Sequence, residues 1–242
     1  MKESAGRNLD LPPLFRPVVL REVGDAFVHA CTHAASSGAG TLILVGRFDL
    51  AEFAVVLEPE EPLRFARPVF YAGMLALYET LAAAAPPEKP IAIEWPDAIY
   101  VDGGLVGGGR LAWPGGIAET EVPPWLVFGA SIRTTSMISD SGLYPLATAL
   151  EAEGFEDRGT GELVARFARR LMVALDRWNE DGPATLTKDY AATLRQRGKA
   201  GCDIDNAGTL VEQAGRMSKR RELATALASP SWLDSQTGGP RL

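Results

Sequence analysis

The residues able to do chemistry concentrate in one stretch of this 242-residue chain, Glu94-Trp95-Pro96-Asp97-Ala98-Ile99-Tyr100-Val101-Asp102-Gly103-Gly104-Leu105-Val106-Gly107-Gly108-Gly109-Arg110-Leu111. Three consecutive glycines inside a strand weaken it, because they lose backbone entropy and bring no side chain to the packing. Such a run is kept where something approaches the main chain closely, either a ligand or another segment of the same protein. Asp97 either caps the turn through its side chain or meets a polar group of a ligand. Trp95, before a proline at a strand end, is either core or part of a binding surface. The chemistry such a ribbon supports is binding: a flat molecule against bare backbone, with side chains at its margins for polarity and charge.

Other candidates are weaker. His29 and His33 stand one helical turn apart, a spacing that can chelate a metal. No HExxH pattern surrounds them and no third ligand is evident, so they read as a solvated helix face and no metal site is expected. Cys31 and Cys202 are far apart and lack CxxC spacing, which excludes a cysteine zinc site and argues against a disulfide framework. Lys219, Arg220 and Arg221 form a local basic cluster on an expected helix, again a solvated face.

The elements that position these residues follow from the hydrophobic pattern. A helix over 22–37 carries Val23, Ala26, Phe27, Ala30 and Ala34 on one stripe, and 36–40 ends it with small residues and glycines. Strands are expected at 41–46 and 53–57, the first apolar on both faces, with Arg47-Phe48-Asp49-Leu50 as the loop between them. A helix over 67–84 tolerates Pro68 in its first turn and aligns Phe70, Met74, Leu77 and Leu81. Strands at 91–95, 98–102, 105–113 and 125–133 make a β-rich centre, with Asp102-Gly103-Gly104 as a hairpin turn. Helices at 161–179 and 183–196 come next, and a Gly-Lys-Ala-Gly break at 198–201 opens a small tail. The tail begins with two short strands around an Asn-Ala-Gly turn, becomes helical over 218–228, and trails off in a Gly/Pro-rich end. This order predicts an α+β fold, a largely antiparallel sheet flanked by helices on one side. The division expected is a main domain over 11–197 and a small β/α appendage over 198–242.

Bulk composition narrows the function classes. Hydrophobic residues make up 46% and charged residues 23%, which is ordinary globular usage and excludes a fibre or a disordered chain. A net charge of -7 with scattered basic residues argues against a nucleic-acid reader, which needs a basic stripe to neutralise phosphates. The polar N-terminus has no apolar core for a signal peptide, and no apolar run approaches the ~20 residues that cross a bilayer. The expectation is a cytoplasmic protein with no membrane partner.

Trp-Pro-Asp-x-Ile-Tyr-Val-Asp-Gly at 95–103 resembles the Trp-Pro-Asn-Asp hairpin of the biotin and lipoate protein ligases. The preceding helix, the later strand at 125–133 and the Gly-x-Asp-Ile-Asp-x-x-Gly-x-Leu opening of the tail are similar to that family's layout over about 20–211. The resemblance implies the family's catalytic-domain fold. It also implies its chemistry: ATP and Mg activate the carboxylate of biotin or lipoate as an acyl-adenylate, which a lysine of a biotinyl or lipoyl carrier domain attacks. Cationic groups must neutralise the acyl and phosphate oxygens in such a reaction.

Carried over residue by residue, the resemblance puts Trp95, Asp97, Gly107, Gly108, Gly109 and Arg110 in the substrate-binding set. It adds Arg47 from the loop corresponding to the family's Arg/Gly-rich adenylate loop. Ser131 and Arg133 come from Gly129-Ala130-Ser131-Ile132-Arg133, which stands where the family has Gly-x-Gly-x-Asn. Leu105 occupies the position of the family lysine and brings no charge. Arg110 would face away from Leu105 in a regular strand, and shares its side only if the glycine run holds a bulge. Three readings follow: a divergent ligase that forms an acyl-adenylate, a non-catalytic binder of a small carboxylic acid or carrier domain, and a closed cleft plugged by Leu105 and Phe48. A homodimer is compatible with all three.

Overall fold

The computed structural model describes residues 9–21, 24–136, 146–196, 202–214 and 217–242. Strands β1 (Arg16–Leu20), β2 (Thr41–Val45), β3 (Leu50–Leu57), β4 (Ile91–Glu94), β5 (Ala98–Val101), β6 (Gly104–Ala112) and β7 (Leu126–Arg133) form one sheet in the order β1-β2-β3-β7-β6-β5-β4. Only the β1–β2 pair is parallel; every other neighbour runs antiparallel. The expected α+β class therefore holds. The edge strand β1 has no counterpart among the expected strands, because its residues are exposed or half-buried and give no hydrophobic alternation.

Alternation along the strands sorts the side chains into two layers. Leu42, Leu44, Phe53, Val55, Leu126 and Phe128 face α3 (Val69–Ala82) and α4 (Gly159–Asp181) in the main core. Ile43, Val45, Ala54, Val56 and Val127 face α1 (Ala26–Ser37) through its buried Ala26, Ala30 and Ala34. Helices thus cover both faces of the sheet, which corrects the one-sided arrangement. Small alanines at i, i+4 and i+8 let α1 lie close to the strands, and β2 is buried on both sides because both are covered. Asp25 caps α1, its carboxylate accepting from the Val28 N–H at 2.9 Å.

A short turn, α2 (Leu63–Ala66), precedes α3, and α5 (Pro183–Gln196) packs on α3 and α4. The end of the chain forms a second sheet, β8 (Cys202–Ile204), β9 (Leu210–Ala214) and β10 (Met217–Arg221), in the order β10-β9-β8. The pair of short strands around Asn206-Ala207-Gly208 is as expected. The helix expected over 218–228 is corrected: its first part is β10, paired along β9, and only α6 (Leu223–Leu227) is helical. Strand pairing overrides the helical propensity of Lys219-Arg220-Arg221, so that basic cluster lies on an edge strand. The break at 198–201 lies outside the described residues. Among the described residues no helix is long and apolar enough to cross a membrane.

Candidate functional site

The glycine ribbon is β6, and its register decides which side chains meet. Ala98 pairs with Gly108 and Ile99 with Gly107, but Tyr100 pairs with Leu105, so Val106 is an extra residue in β6. This bulge reverses the alternation, and Leu105 and Arg110 share one face of the sheet. On that face Glu52 of β3, Ser131 of β7, Gly108 of β6 and Ala98 of β5 lie directly opposite one another across four strands. Arg133 pairs with Leu50 two residues along β7, and Arg110 pairs with Gly129 in the other direction. The result is a shallow trough with small residues along its middle, Arg133 towards one end and Arg110 towards the other.

Arg110 is buried under the start of α1. Its guanidinium lies 4.4 Å from the Phe27 ring centroid, and one nitrogen pairs with Asp25 Oδ1 at 3.3 Å. Its Nε has no partner, and neither does Ser131 Oγ, although both are buried. Glu52 accepts from the Ala26 N–H at 2.8 Å, and burial raises its carboxyl above the ordinary carboxylate range despite that bond. Nearby Cys31 is pushed up to about 11, chiefly by burial, so it is an unreactive thiol.

The opposite end of the trough holds a segment that sequence reasoning missed. Trp232, with no exposed surface, packs against Ala98 and Leu105, and its indole Nε1 donates to the Gly109 carbonyl at 3.1 Å. A side chain on Gly108 would begin 2.5 Å from Trp232 Nε1 and closer still to the Asp97 carbonyl oxygen. Gly107 itself sits at φ 152°, where a Cβ would run into the Ser131 carbonyl. Beside the indole, Ser231 donates to Asp97 through its N–H at 3.2 Å and its hydroxyl at 2.8 Å. Burial pushes the Asp97 carboxyl up to about 6, against the opposing effect of the Ser231 bonds and of Arg241. Arg133 donates to the main-chain carbonyls of Thr148, Pro240 and Arg241 at 3.1, 2.7 and 3.1 Å. It pairs with no carboxylate among the described residues, and desolvation lowers its pKa. The one signal available was a lone tryptophan in an otherwise small and polar tail.

The remaining candidates lie elsewhere. Trp95 is on the α3/α4 side of the sheet, where its indole donates to Tyr71 Oη at 3.0 Å, and Tyr71 donates in turn to the Gly208 carbonyl at 2.6 Å. Arg221 covers the Trp95 ring, so this tryptophan ties the small sheet to the main core. Arg47 is held by both oxygens of Asp49, at 3.0 and 2.6 Å, which cancels its charge locally. Phe48 is 69% exposed and plugs nothing, a correction to the closed-cleft reading; the plug is Trp232 on Leu105. His29 and His33 stack at 4.3 Å, and among the described residues no three His, Cys, Asp or Glu side chains gather as a metal site. Two cavities, of about 280 and 710 Å³, open on the α3/α4 side and are lined by none of the trough residues.

The arrangement is suited to holding an anion and a slender body. It offers a buried guanidinium, glycine backbone beneath the Trp232 indole, and a carboxyl that accepts hydrogen bonds.

A sequence profile of the Biotin/lipoate A/B protein ligase family matches residues 11–192. Among solved structures, the chain resembles a biotin protein ligase-like protein of unknown function from Silicibacter sp. TM1040, at 25% identity and a TM-score of 0.79, covering 92% of this chain and 100% of that one. It also resembles the biotin protein ligase of Aquifex aeolicus in complex with biotin and ATP, at 16% identity and a TM-score of 0.63, covering 85% and 94% of the two chains. The biotin protein ligase of Leishmania major in complex with biotinyl-5-AMP matches at 14% identity and a TM-score of 0.57, covering 87% and 99%. No curated protein matches the chain.

Proposed function

Since the chain belongs to the biotin/lipoate A/B protein ligase family, we propose that it is a non-adenylating member that binds the carboxylate of a small acyl compound through Arg133. The observation that carries this reading is the state of that guanidinium. It is buried, its only described acceptors are three main-chain carbonyls, and no carboxylate offsets its charge. A buried cation without a counter-charge is costly, and an incoming carboxylate is the group that relieves it. The small residues in line with Gly108 present backbone on which an acyl chain could rest in place of the Trp232 indole that covers it.

Among the described residues, the family lysine position and the adenylate-loop position do not offer ATP and Mg a free cation. Charge developing on an adenylate needs cations that are free to meet it. Leu105 stands at the family lysine position, buried and capped by Trp232, and Arg47 is already neutralised by Asp49. We therefore derive no activation step and no transfer to a carrier lysine. Biotin and ATP are bound by the Aquifex aeolicus relative. For this chain biotin and lipoate stand as candidates for the carboxylate, and a carrier domain is not required.

Isothermal calorimetry and thermal shift of the full chain with biotin, lipoate and octanoate, each beside its methyl ester, test the reading. Stabilisation by an acid but not by its ester is expected, and Arg133→Met should weaken it at least about tenfold, a common loss when a charged hydrogen-bond partner is removed. ATP–pyrophosphate exchange should stay at the protein-free blank. Carboxylate-dependent exchange, or equal binding of acid and ester, overturns the proposal.

A further inference from the structure

Residues 229–242 belong to neither sheet, yet they bond Asp97, the Gly109 carbonyl and Arg133 along the trough. The Trp232 indole covers Gly108 and Gly109, Ser231 occupies Asp97, and the carbonyls of Pro240 and Arg241 occupy Arg133. A carboxylate-bearing molecule on that surface would need the same space and the same guanidinium donors, so segment and ligand exclude one another.

We propose that residues 229–242 form a displaceable strap, an internal competitor that sits in the acyl trough and leaves it when a carboxylate takes Arg133. This rests on the binding reading above. The attachment is built for release. Within the segment only Trp232 and Pro240 are buried, and the rest is partly or fully exposed. Its own fold is local: Arg241 N–H donates to the Trp232 carbonyl at 2.8 Å, Arg241 Nε to the Leu233 carbonyl at 2.9 Å, and Leu233 bridges Pro240. The strap can therefore lift as a unit while β5, β6 and β7 keep their ladders, as segments with few buried contacts open below the global unfolding free energy. The Arg133 bonds strengthen the case, since they satisfy a cation with uncharged acceptors that a carboxylate outcompetes. Occupation by the strap lowers apparent affinity by the fraction of molecules in which the trough is open.

Two measurements on the full chain test this, with lipoate, biotin and octanoate as probes. In calorimetry, Trp232→Ala should bind the preferred acid at least about tenfold more tightly than wild type, because the competitor has lost its anchor. Ser231→Ala, which removes only the hydroxyl bond to Asp97, should tighten it in the same direction by about threefold and guards against misfolding of the tryptophan variant. In hydrogen exchange, saturating acid should speed the Ser231 amide, which donates across to Asp97 at 3.2 Å, in the wild-type chain while the amides of β6 and β7 stay protected. Equal affinities across the three proteins, with the Ser231 amide unchanged by ligand, overturn the strap and leave the binding reading standing. Failure of wild type and both variants to bind any of the acids removes the binding reading and the strap with it.

Discussion

Replacing Asp97 with asparagine should change how stability depends on pH, and the structure gives the size. Asp97 has no exposed surface, and burial raises its carboxyl from 3.8 to about 6. A raised folded-state pKa means that folding favours the protonated acid. Well below pH 3.8 the carboxyl is protonated in both folded and unfolded chains, so the group costs nothing there. Between about 4 and 6 the unfolded carboxyl is ionised while the folded one resists, and stability falls with rising pH until the folded group ionises too. A difference of about two units corresponds to about 3 kcal/mol at 1.36 kcal/mol per unit. Asparagine is uncharged throughout. It can accept from the Ser231 N–H and donate to the Ser231 hydroxyl, so the hydrogen bonds seen at 3.2 and 2.8 Å have replacements. Urea unfolding of both proteins from pH 4 to 8, followed by circular dichroism, isolates the effect, because Glu52 and every other group titrate alike in the two. The stability difference, variant minus wild type, should grow by about 2.5 kcal/mol over that range, which in a thermal melt of a chain of this size is a midpoint change of roughly 5 to 10 °C. Parallel pH profiles would refute the argument that Asp97 is buried at an energetic cost.

Two further substitutions probe the trough. Gly108→Ala should destabilise the protein by about 2 to 4 kcal/mol, since its methyl overlaps both the Asp97 carbonyl and the Trp232 ring. Gly115→Ala, with nothing within 4 Å of the new carbon, should stay within about 0.5 kcal/mol; thermal melts compare the two. Leu105→Lys restores the family residue type but not its setting, because the position is buried against Trp232 and Ala98. It should lose about 2 kcal/mol or more and still give no ATP–pyrophosphate exchange, whereas measurable exchange would mean that charge alone was missing.

Much of this protein is written locally in its sequence. Continuous apolar runs such as Thr41–Val45, the turn at Asp102-Gly103-Gly104 and the tryptophan-proline corner depend on near neighbours, so periodicity and turn chemistry located β2, the β5–β6 hairpin and the family resemblance. Three decisions lay beyond local pattern. Whether Arg110 shares a face with Leu105 depends on the extra Val106, and a bulge is a property of two strands in register rather than of either one. Which side of the sheet α1 covers is likewise settled by pairing between distant strands, not by its alanine stripe. The fate of the glycine ribbon was set by a contact 134 residues away in sequence, where Ser231 meets Asp97 and brings Trp232 over Gly108. The sequence alone could say that something must lie against those glycines. Only the tertiary fold chose the chain's own tail, because an indole 123 residues downstream of Gly109 becomes its neighbour through packing that no local propensity encodes.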